Sequence, residues 1–421
     1  MDRTADNTPA NTSANTSGAR LTAQVARDDL RPLVVDRLGL ACHGRSPLAP
    51  ALAGYAPGNR RLSAAAESLA EDLATALSIL ARPQLVMGNR TGGGSLGLSF
   101  FSACHAPAEG GDAWAVVTPS FEGSFLIELF DDAWAFLAWW LTLNASAAEE
   151  PTANHMPPPL TLESAVYLLH AIDSHRRCAL ESLLAYAPRN TPSVSPAAFK
   201  ETLAASIRGG DLRWLLPAFL GLTPGLDLDA FDNDPRHLED LARRGFLVDG
   251  AVAGGEDLVF GEAGRAMGTE FHRGWFQAAG FETTVGDGPR WDTLHQAFLA
   301  PTVLANHLFL VHRDGAGHPM VNHQALTRTD LEDRMAGLMR DALDAVAKAA
   351  PVEEETADTS PAEAPRPAAA SVCGSCGAAL KPDQKFCTQC GTPVPAGCPS
   401  CGAPRVAGAN FCSACGAALQ G

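Results

Sequence analysis

Eight of the eleven cysteines stand in four Cys-x-x-Cys pairs within the last fifty residues of the sequence. The pairs are Cys373/Cys376, Cys387/Cys390, Cys398/Cys401 and Cys412/Cys415. A two-residue spacer lets one tight turn direct two sulfurs at the same ion, and Zn²⁺ prefers a tetrahedron of thiolates. A glycine follows the second cysteine of every pair, where a positive φ is common and glycine adopts it without steric cost. The spacing therefore predicts two small zinc ribbons, each holding one Zn²⁺, or two ions per chain.

Disulfides or a thioredoxin-like redox site are alternative uses of paired cysteines. A redox site of that kind would need a βαβ context, which the surrounding sequence does not show. Each ribbon is too small to be stable by burial alone, with Phe386 and Phe411 as its main core residues. Metal binding supplies the remaining folding free energy of such modules.

The stretch from Cys373 to about Leu419 resembles the double zinc ribbon family, also called DZANK-type. The resemblance implies that Cys373, Cys376, Cys387 and Cys390 bind one zinc ion and that Cys398, Cys401, Cys412 and Cys415 bind the other. Members of this family are commonly accessory modules fused to very different proteins, so the resemblance identifies a module and not an activity.

The charge of the chain argues against nucleic acid as a partner. The formal net charge is −16, whereas phosphate attraction needs a basic surface. Within the ribbons Lys381, Lys385 and Arg405 are the only basic side chains, and Asp383 opposes them. The ribbons are therefore expected to dock a protein or to play a structural role.

Composition places the chain among soluble globular proteins. Its 421 residues, 46% hydrophobic and 19% charged, suggest two to three domains. We expect a disordered N-terminal tail (1–20), an α+β body (21–350), a flexible Pro/Ala/Glu linker (351–372) and the tandem zinc ribbons (373–421).

No apolar signal-peptide core follows the N-terminus. The longest strongly apolar run, residues 133–143, is shorter than the ~20 residues that span a bilayer. We therefore expect a cytoplasmic protein with no membrane span. The scarcity of lysine relative to arginine, together with the Ala, Gly and Pro content, suggests a bacterium with GC-rich DNA.

The body alternates helical and strand patterns, which predicts an α+β fold. Strand-like runs cover 84–87, 96–103, 114–118 and 124–130 in the first half and 275–284, 307–312 and 320–326 in the second. In each half a hairpin leads into a helix, which predicts two similar halves, each of helices and antiparallel sheet. The first of these helices is expected to begin near Asp131, whose carboxylate suits a helix start. Thr329 and Glu332 are expected to form a capping box at the start of the second.

Several polar groups in the body have residue types found in catalytic or metal sites, but their spacing favours structural roles. The G-x-S-x-G pattern at 93–97 precedes a strand and is typical of a hairpin loop rather than a hydrolase elbow. Cys42-His43 and Cys104-His105 are adjacent pairs, which point to opposite faces of a strand. His307, His312, His318 and His323 are spaced by five or six residues, so they do not converge simply on one metal. The acidic loop at 227–234 lacks the EF-hand ligand register.

One helix carries Trp134, Phe136, Trp139 and Trp140 on more than one face. Packing between helix and sheet accounts for most of these side chains, but an apolar docking patch stays open as an alternative.

In its arrangement the body also resembles the EspG-type chaperones of type VII secretion. The resemblance rests on a Leu/Ala helix that runs into LARPQLV (80–86), on the meander and helix that follow, and on LARRGFLVDG (241–250) in the second half. It implies a secreted protein as the partner.

No catalytic or cofactor-binding residue set can be identified in the sequence, so a zinc-binding, non-enzymatic adaptor or chaperone-like protein is the favoured function. Its protein partner would bind the body, the ribbons or both. One alternative is an enzyme whose site in the body is not recognisable. Another is a ribbon-assisted nucleic-acid regulator that uses the helix and hairpin at 235–265.

Overall fold

The computed structural model describes residues 18–43, 45–53, 70–93, 96–120, 123–150, 152–186, 192–226, 236–248, 257–287 and 290–349. The described residues from 18 to 49 and from 70 to 349 form one compact unit, the body. Most of the predicted N-terminal tail and all of the predicted linker and ribbons lie outside the described residues, so these domain limits stay predictions.

The strands of the described residues are β1 (Leu21–Ala26), β2 (Leu85–Gly93), β3 (Leu96–His105), β4 (Trp114–Pro119), β5 (Ser124–Phe130), β6 (Leu160–Thr161), β7 (Ser193–Val194), β8 (Leu247–Val248), β9 (Leu258–Phe260), β10 (Ala278–Asp287), β11 (Arg290–Pro301), β12 (Asn306–Arg313) and β13 (Pro319–Leu326). The α-helices are α1 (Arg27–Arg31), α2 (Ala49–Leu52), α3 (Glu71–Ala81), α4 (Pro107–Gly110), α5 (Ala133–Asn144), α6 (Leu162–Leu184), α7 (Pro196–Arg208), α8 (Leu215–Leu222), α9 (Arg236–Arg243), α10 (Glu262–Gly274) and α11 (Arg328–Ala349). A π-helical segment, Pro32–Arg37, follows α1.

A ten-stranded sheet organises the body in the order β1-β5-β4-β3-β2-β10-β11-β12-β13-β6. Every neighbouring pair in this sheet is antiparallel. β2 and β10 pair at its centre, and one four-stranded meander extends from each of them. A helix precedes each meander and another follows it, so α3-β2-β3-β4-β5-α5 is repeated as α10-β10-β11-β12-β13-α11.

The α+β class is therefore confirmed. The repeat is longer than the hairpin and helix expected from the sequence, because each half also includes a preceding helix and two more strands. One of these strands, β11, is not predicted by the sequence pattern. The first half of β11 is mostly exposed and its last five residues are all buried, so burial does not alternate along the strand.

The two faces of the sheet are covered by different helices. On one face α5 and α11 form a core with side chains such as Trp114, Ala297 and Leu299. On the other face α6, α7, α8 and α10 form a second core, to which Phe298 and Ala300 of the same strand contribute. Successive residues of a strand point to opposite faces, so β11 supplies both cores.

Two helix starts differ from the sequence expectation. α5 begins at Ala133, and its N-cap is Asp132, whose carboxylate accepts hydrogen bonds from the N–H groups of Trp134 (2.9 Å) and Ala135 (2.8 Å). The expected Asp131 lies one residue too early. α11 is capped by Thr327, which accepts from the N–H of Asp330 (3.1 Å), and not by the expected Thr329.

None of the described helices combines the length and the apolar character needed to cross a membrane.

Candidate functional site

Two histidines meet on adjacent strands in the second half of the body. His307 lies on β12 and His323 on β13, and in the register of these strands Phe309 is opposite His323 while Ala325 is opposite His307. The two histidines are therefore diagonal neighbours on one face of the sheet. His307 Nδ1 lies 3.0 Å from His323 Nε2, and both residues are fully buried.

Glu270 of α10 continues this contact on one side and Asn154 continues it on the other. His307 Nε2 lies 2.8 Å from Glu270 Oε1, and Thr302 donates to the same oxygen at 2.5 Å. His323 Nδ1 lies 2.9 Å from Asn154 Oδ1. We call these five residues the histidine relay.

The hydrogen bonds of Asn154 determine the protonation of the relay. Asn154 Oδ1 accepts the N–H of Met156 (3.0 Å), and its Nδ2 donates to the carbonyl oxygen of His323 (3.3 Å). His323 Nδ1 must therefore carry the proton in its contact with Asn154 Oδ1. Burial lowers the pKa of His323 well below its ordinary value, and the charge of His307 lowers it further. His323 is thus neutral, and its Nε2 accepts a hydrogen bond from His307 Nδ1.

The same reasoning applies at Glu270. Burial raises the pKa of Glu270, but hydrogen bonds from His307 and Thr302 and the charge of His307 outweigh it, so the pKa lies below its ordinary value. An ionised Glu270 can only accept, so His307 Nε2 donates to it in a buried, charge-assisted hydrogen bond.

The geometry of the relay suits a structural connection. Thr302 also accepts the N–H groups of Leu304 (3.2 Å) and Ala305 (3.0 Å), so the relay ties the turn between β11 and β12 to α10. Its histidine nitrogens bond to each other and to Glu270, so they do not point at a common ion. No group of three or more His, Cys, Asp or Glu side chains in the described part of the chain is arranged to hold a metal.

Two cavities among the described residues lie away from the relay. One is an apolar cavity of about 10 Å³ between the sheet and α11. The other is an open cleft of about 470 Å³ beside α6 and α9 whose lining includes Arg243 and Arg244. Both arginines pair with the single carboxylate of Asp240, at 3.2 and 2.9 Å. The cleft is also lined by Glu163, Ser164 and His237. The Ser164 hydroxyl accepts from the Thr161 hydroxyl at 3.2 Å, and the His237 ring stacks on Tyr167 with 4.8 Å between the ring centroids.

A second buried charge anchors α8 to α6. Asp173 of α6 accepts a hydrogen bond from Arg176 (2.8 Å) and accepts the backbone N–H groups of Leu215 and Leu216, each at 2.9 Å. The Arg176 guanidinium lies over the Trp275 ring, 4.7 Å from its centroid. The Asp173 carboxylate and the Trp275 ring together explain why the Arg176 guanidinium can be buried. No bound ligand is needed to explain this charge.

The aromatic helix, α5, is both a core element and a surface. Trp140 is fully buried and donates from Nε1 to Asn89 Oδ1 at 2.9 Å. Trp139 is half-buried between Phe101 and Phe130. Trp134 keeps 45% of its surface exposed. Core packing thus accounts for most of the aromatic side chains, as expected, and one tryptophan remains at the surface.

The remaining candidate residues of the sequence stay apart. Cys104 is buried in the sheet, and burial raises the pKa of its thiol, so it is an inert core residue. His312 and His318 are exposed on the outer end of the β12–β13 hairpin. The pattern at 93–97 connects β2 to the antiparallel β3, as a hairpin does. The acidic loop at 227–234 lies outside the described residues.

Histidine spacing along the chain does not indicate the relay. The signal that does is the pairing of β12 with β13, which places His307 and His323 on one face. Glu270 lies 37 residues before His307 and offers no local signal.

The predicted zinc ligands lie outside the described residues. The sequence of residues 373–416, which contains all eight of them, matches the model of the double zinc ribbon family. This match indicates zinc binding by this part of the chain. A comparison with curated proteins gives no significant match.

Proposed function

We propose that this protein is a zinc-binding adaptor, in which the α+β body and the zinc ribbons each contribute to binding a protein partner. The observation that carries the proposal is the match of residues 373–416 to the double zinc ribbon family. The donor set fits the metal, since thiolates in Cys-x-x-Cys pairs are the ligands of structural zinc. When bound, the metal supplies folding free energy to a segment too small to form its own core.

The proposed ligands of one ion are Cys373, Cys376, Cys387 and Cys390, and those of the other are Cys398, Cys401, Cys412 and Cys415. Two modules on one chain gain affinity from effective concentration, so each contact with the partner can be weak. In the described cleft beside α6 and α9, Ser164 bonds to Thr161 and His237 stacks on Tyr167. These side chains are not joined as a nucleophile and its base, which favours an adaptor over an enzyme.

The metal content of the purified full chain tests the zinc sites. We expect two zinc ions per chain in the native protein and one in the Cys373→Ser variant. The matched control is Cys42→Ser in the body, where the thiol is half-buried and unrelated to the ribbons. Equal zinc in all three proteins would contradict the ligand assignment.

Affinity purification of the full chain from its native host tests the adaptor role. The chain is compared with a variant that carries both Cys373→Ser and Cys398→Ser, and the proteins retained by each are identified. A partner held by both places recognition in the body, and a partner held only by the native chain places it in the ribbons. If neither holds a protein above background, the adaptor proposal is wrong.

The EspG-type resemblance, and with it a secreted protein as the partner, stays a prediction. Cytoplasmic location is likewise a proposal, made from the sequence alone.

A further inference from the structure

The outer face of α5 has no charged side chain. The helix has 12 residues, AWAFLAWWLTLN, and its inner side chains enter the core shared with the sheet. Its exposed residues are Trp134, Ala138, Thr142 and Leu143, with 45% of Trp134 and 48% of Leu143 accessible. The Thr142 hydroxyl donates to the carbonyl oxygen of Ala138 at 2.8 Å, so its polar group is already bonded. A surface helix normally has a polar outer face.

The internal repeat supplies a comparison. α11 follows the second meander as α5 follows the first, so the two helices occupy equivalent positions. The exposed residues of α11 include Glu332, Asp333, Arg334, Asp341, Asp344 and Lys348. The fold therefore does not require an apolar outer face on a helix at this position. The apolar outer face of α5 must have another explanation.

We propose that α5 packs antiparallel against α5 of a second copy of this chain, about a two-fold axis near Ala138. Trp134, Ala138 and Thr142 are spaced by four residues and lie on one side of the helix. An antiparallel pair centred on Ala138 places each Trp134 against the smaller Thr142 of the other copy. The small Ala138 side chains then face each other and allow the helices to approach closely. A two-fold contact of this kind is self-complementary by construction.

Charged side chains near the two ends of the exposed face of α5 support this orientation. Arg340 of α11 lies over Trp134, with its guanidinium carbon 5.9 Å from the ring centroid, and has no carboxylate within ion-pair distance among the described residues. Glu149 and Glu150 are exposed beyond the opposite end of α5. Arg328 holds that segment in place.

The N–H of Arg328 donates to Ala148 (2.7 Å), and its side chain donates to the carbonyl oxygen of Leu141 (2.9 Å). Antiparallel packing therefore brings Arg340 of each copy toward the Glu149–Glu150 segment of the other. A parallel arrangement would instead place the two Arg340 side chains together and leave both glutamate pairs without a cation.

The small area of the exposed face of α5 indicates a weak dimer. Three turns of one helix bury less than the about 800 Å² per partner of a standard interface. We therefore expect a dissociation constant in the micromolar range.

Sedimentation equilibrium of the full, zinc-loaded chain from about 1 to 200 µM tests the contact across that range. We expect native protein to pass from monomer to dimer, and Trp134→Glu to stay monomeric. Asp333→Lys, which changes charge on the outer face of α11, is the matched control and should dimerise as the native chain does. Trp134 is half exposed, so its variant should unfold at the same urea concentration as native protein, which checks that the fold is kept.

A charge swap tests the orientation. Arg340→Glu should weaken the dimer at least about tenfold, and adding Glu149→Arg and Glu150→Arg to it should restore association. A native chain that is monomeric throughout, a Trp134→Glu variant that still dimerises, or a charge swap without rescue would overturn the proposal. None of these results bears on the adaptor role, whose partner is a different protein.

Discussion

His307 and Glu270 form an ion pair in the interior of the body, with 2.8 Å between His307 Nε2 and Glu270 Oε1. The imidazole is fully buried, and the carboxylate side chain is 10% exposed. Charges removed from water are tolerated only when they are paired and their remaining hydrogen bonds are made. The relay meets this requirement, because His307 contacts both Glu270 and His323, and Thr302 donates to Glu270.

Removing one partner of this pair should be costly. His307→Gln leaves Glu270 without its counter-ion, so we expect the free energy of unfolding to fall by about 3–5 kcal/mol. The measurement is urea unfolding followed by circular dichroism at neutral pH. The matched control is His318→Gln, since His318 pairs with Asp314 at 3.3 Å but its side chain is 74% exposed. That variant should change stability by less than about 1 kcal/mol, and equal effects would contradict the buried ion pair.

Acid should destabilise the body before its carboxylates titrate. His170 is fully buried, and its Nε2 donates to the Phe199 carbonyl oxygen at 3.0 Å. Burial lowers the pKa of His170 to about 3. The unfolded chain binds a proton at this residue below about pH 6.5, whereas the folded chain does not. The stability contribution is therefore present above pH 6.5 and is lost as the pH falls.

From about pH 8 to pH 5 this single histidine should lower the free energy of unfolding by about 2 kcal/mol. His323 has a lowered pKa for the same reason and adds a loss of the same sign. Urea unfolding across this range gives the slope, and His170→Gln should have a shallower one even if it is less stable at pH 8. An unchanged slope in that variant would show that His170 does not carry the effect.

Sequence patterns predict the features that depend on local chemistry. The α+β class follows from runs of apolar residues separated by turn residues, and the first meander is predicted strand by strand. β11 is not predicted because its last five residues are buried on both faces of the sheet. Burial on both faces removes the alternation of apolar and polar residues that marks a strand. The cap of α11 is predicted at Thr329 instead of Thr327 because both threonines have an acidic residue three positions later.

The histidine relay depends on information that spacing along the chain does not contain. Whether His307 meets His323 is decided by the register of β12 against β13, and a shift of one residue would turn one imidazole to the opposite face. The position of Glu270 depends on how α10 lies on that sheet. The zinc ligands are the opposite case, since Cys-x-x-Cys spacing reports the ligand set directly.

Asp173 should be as sensitive as the relay. Its carboxylate joins Arg176 of the same helix to the first two backbone N–H groups of α8, at Leu215 and Leu216. Asp173→Asn keeps the size of the side chain but removes its charge and one acceptor. We expect a loss of about 3 kcal/mol in the free energy of unfolding, measured with urea. Hydrogen exchange should also show weaker protection at the start of α8.

The control for Asp173 is Asp211→Asn, a few residues before α8. Asp211 forms an ion pair with Arg213 at 2.8 Å, but the two side chains are 39% and 70% exposed. That substitution should change stability by less than about 1 kcal/mol. A similar loss in both variants would mean that burial and capping do not distinguish Asp173.

Gly280 marks the place where α8 approaches the central strands most closely. It lies on β10 beneath the C-terminal end of α8, and a Cβ atom at this position would overlap the carbonyl group of Leu222. Backbone cannot move aside as a flexible side chain does, so Gly280→Ala should displace α8 and lower the free energy of unfolding by about 2–3 kcal/mol.

Gly88 on the paired strand β2 is the matched control, because its nearest contact for a Cβ is Glu282 Cγ at 3.9 Å. Gly88→Ala should stay within about 0.5 kcal/mol of native protein. β2 and β10 join the two halves of the sheet. If both substitutions change the free energy of unfolding equally, α8 does not pack against these two strands.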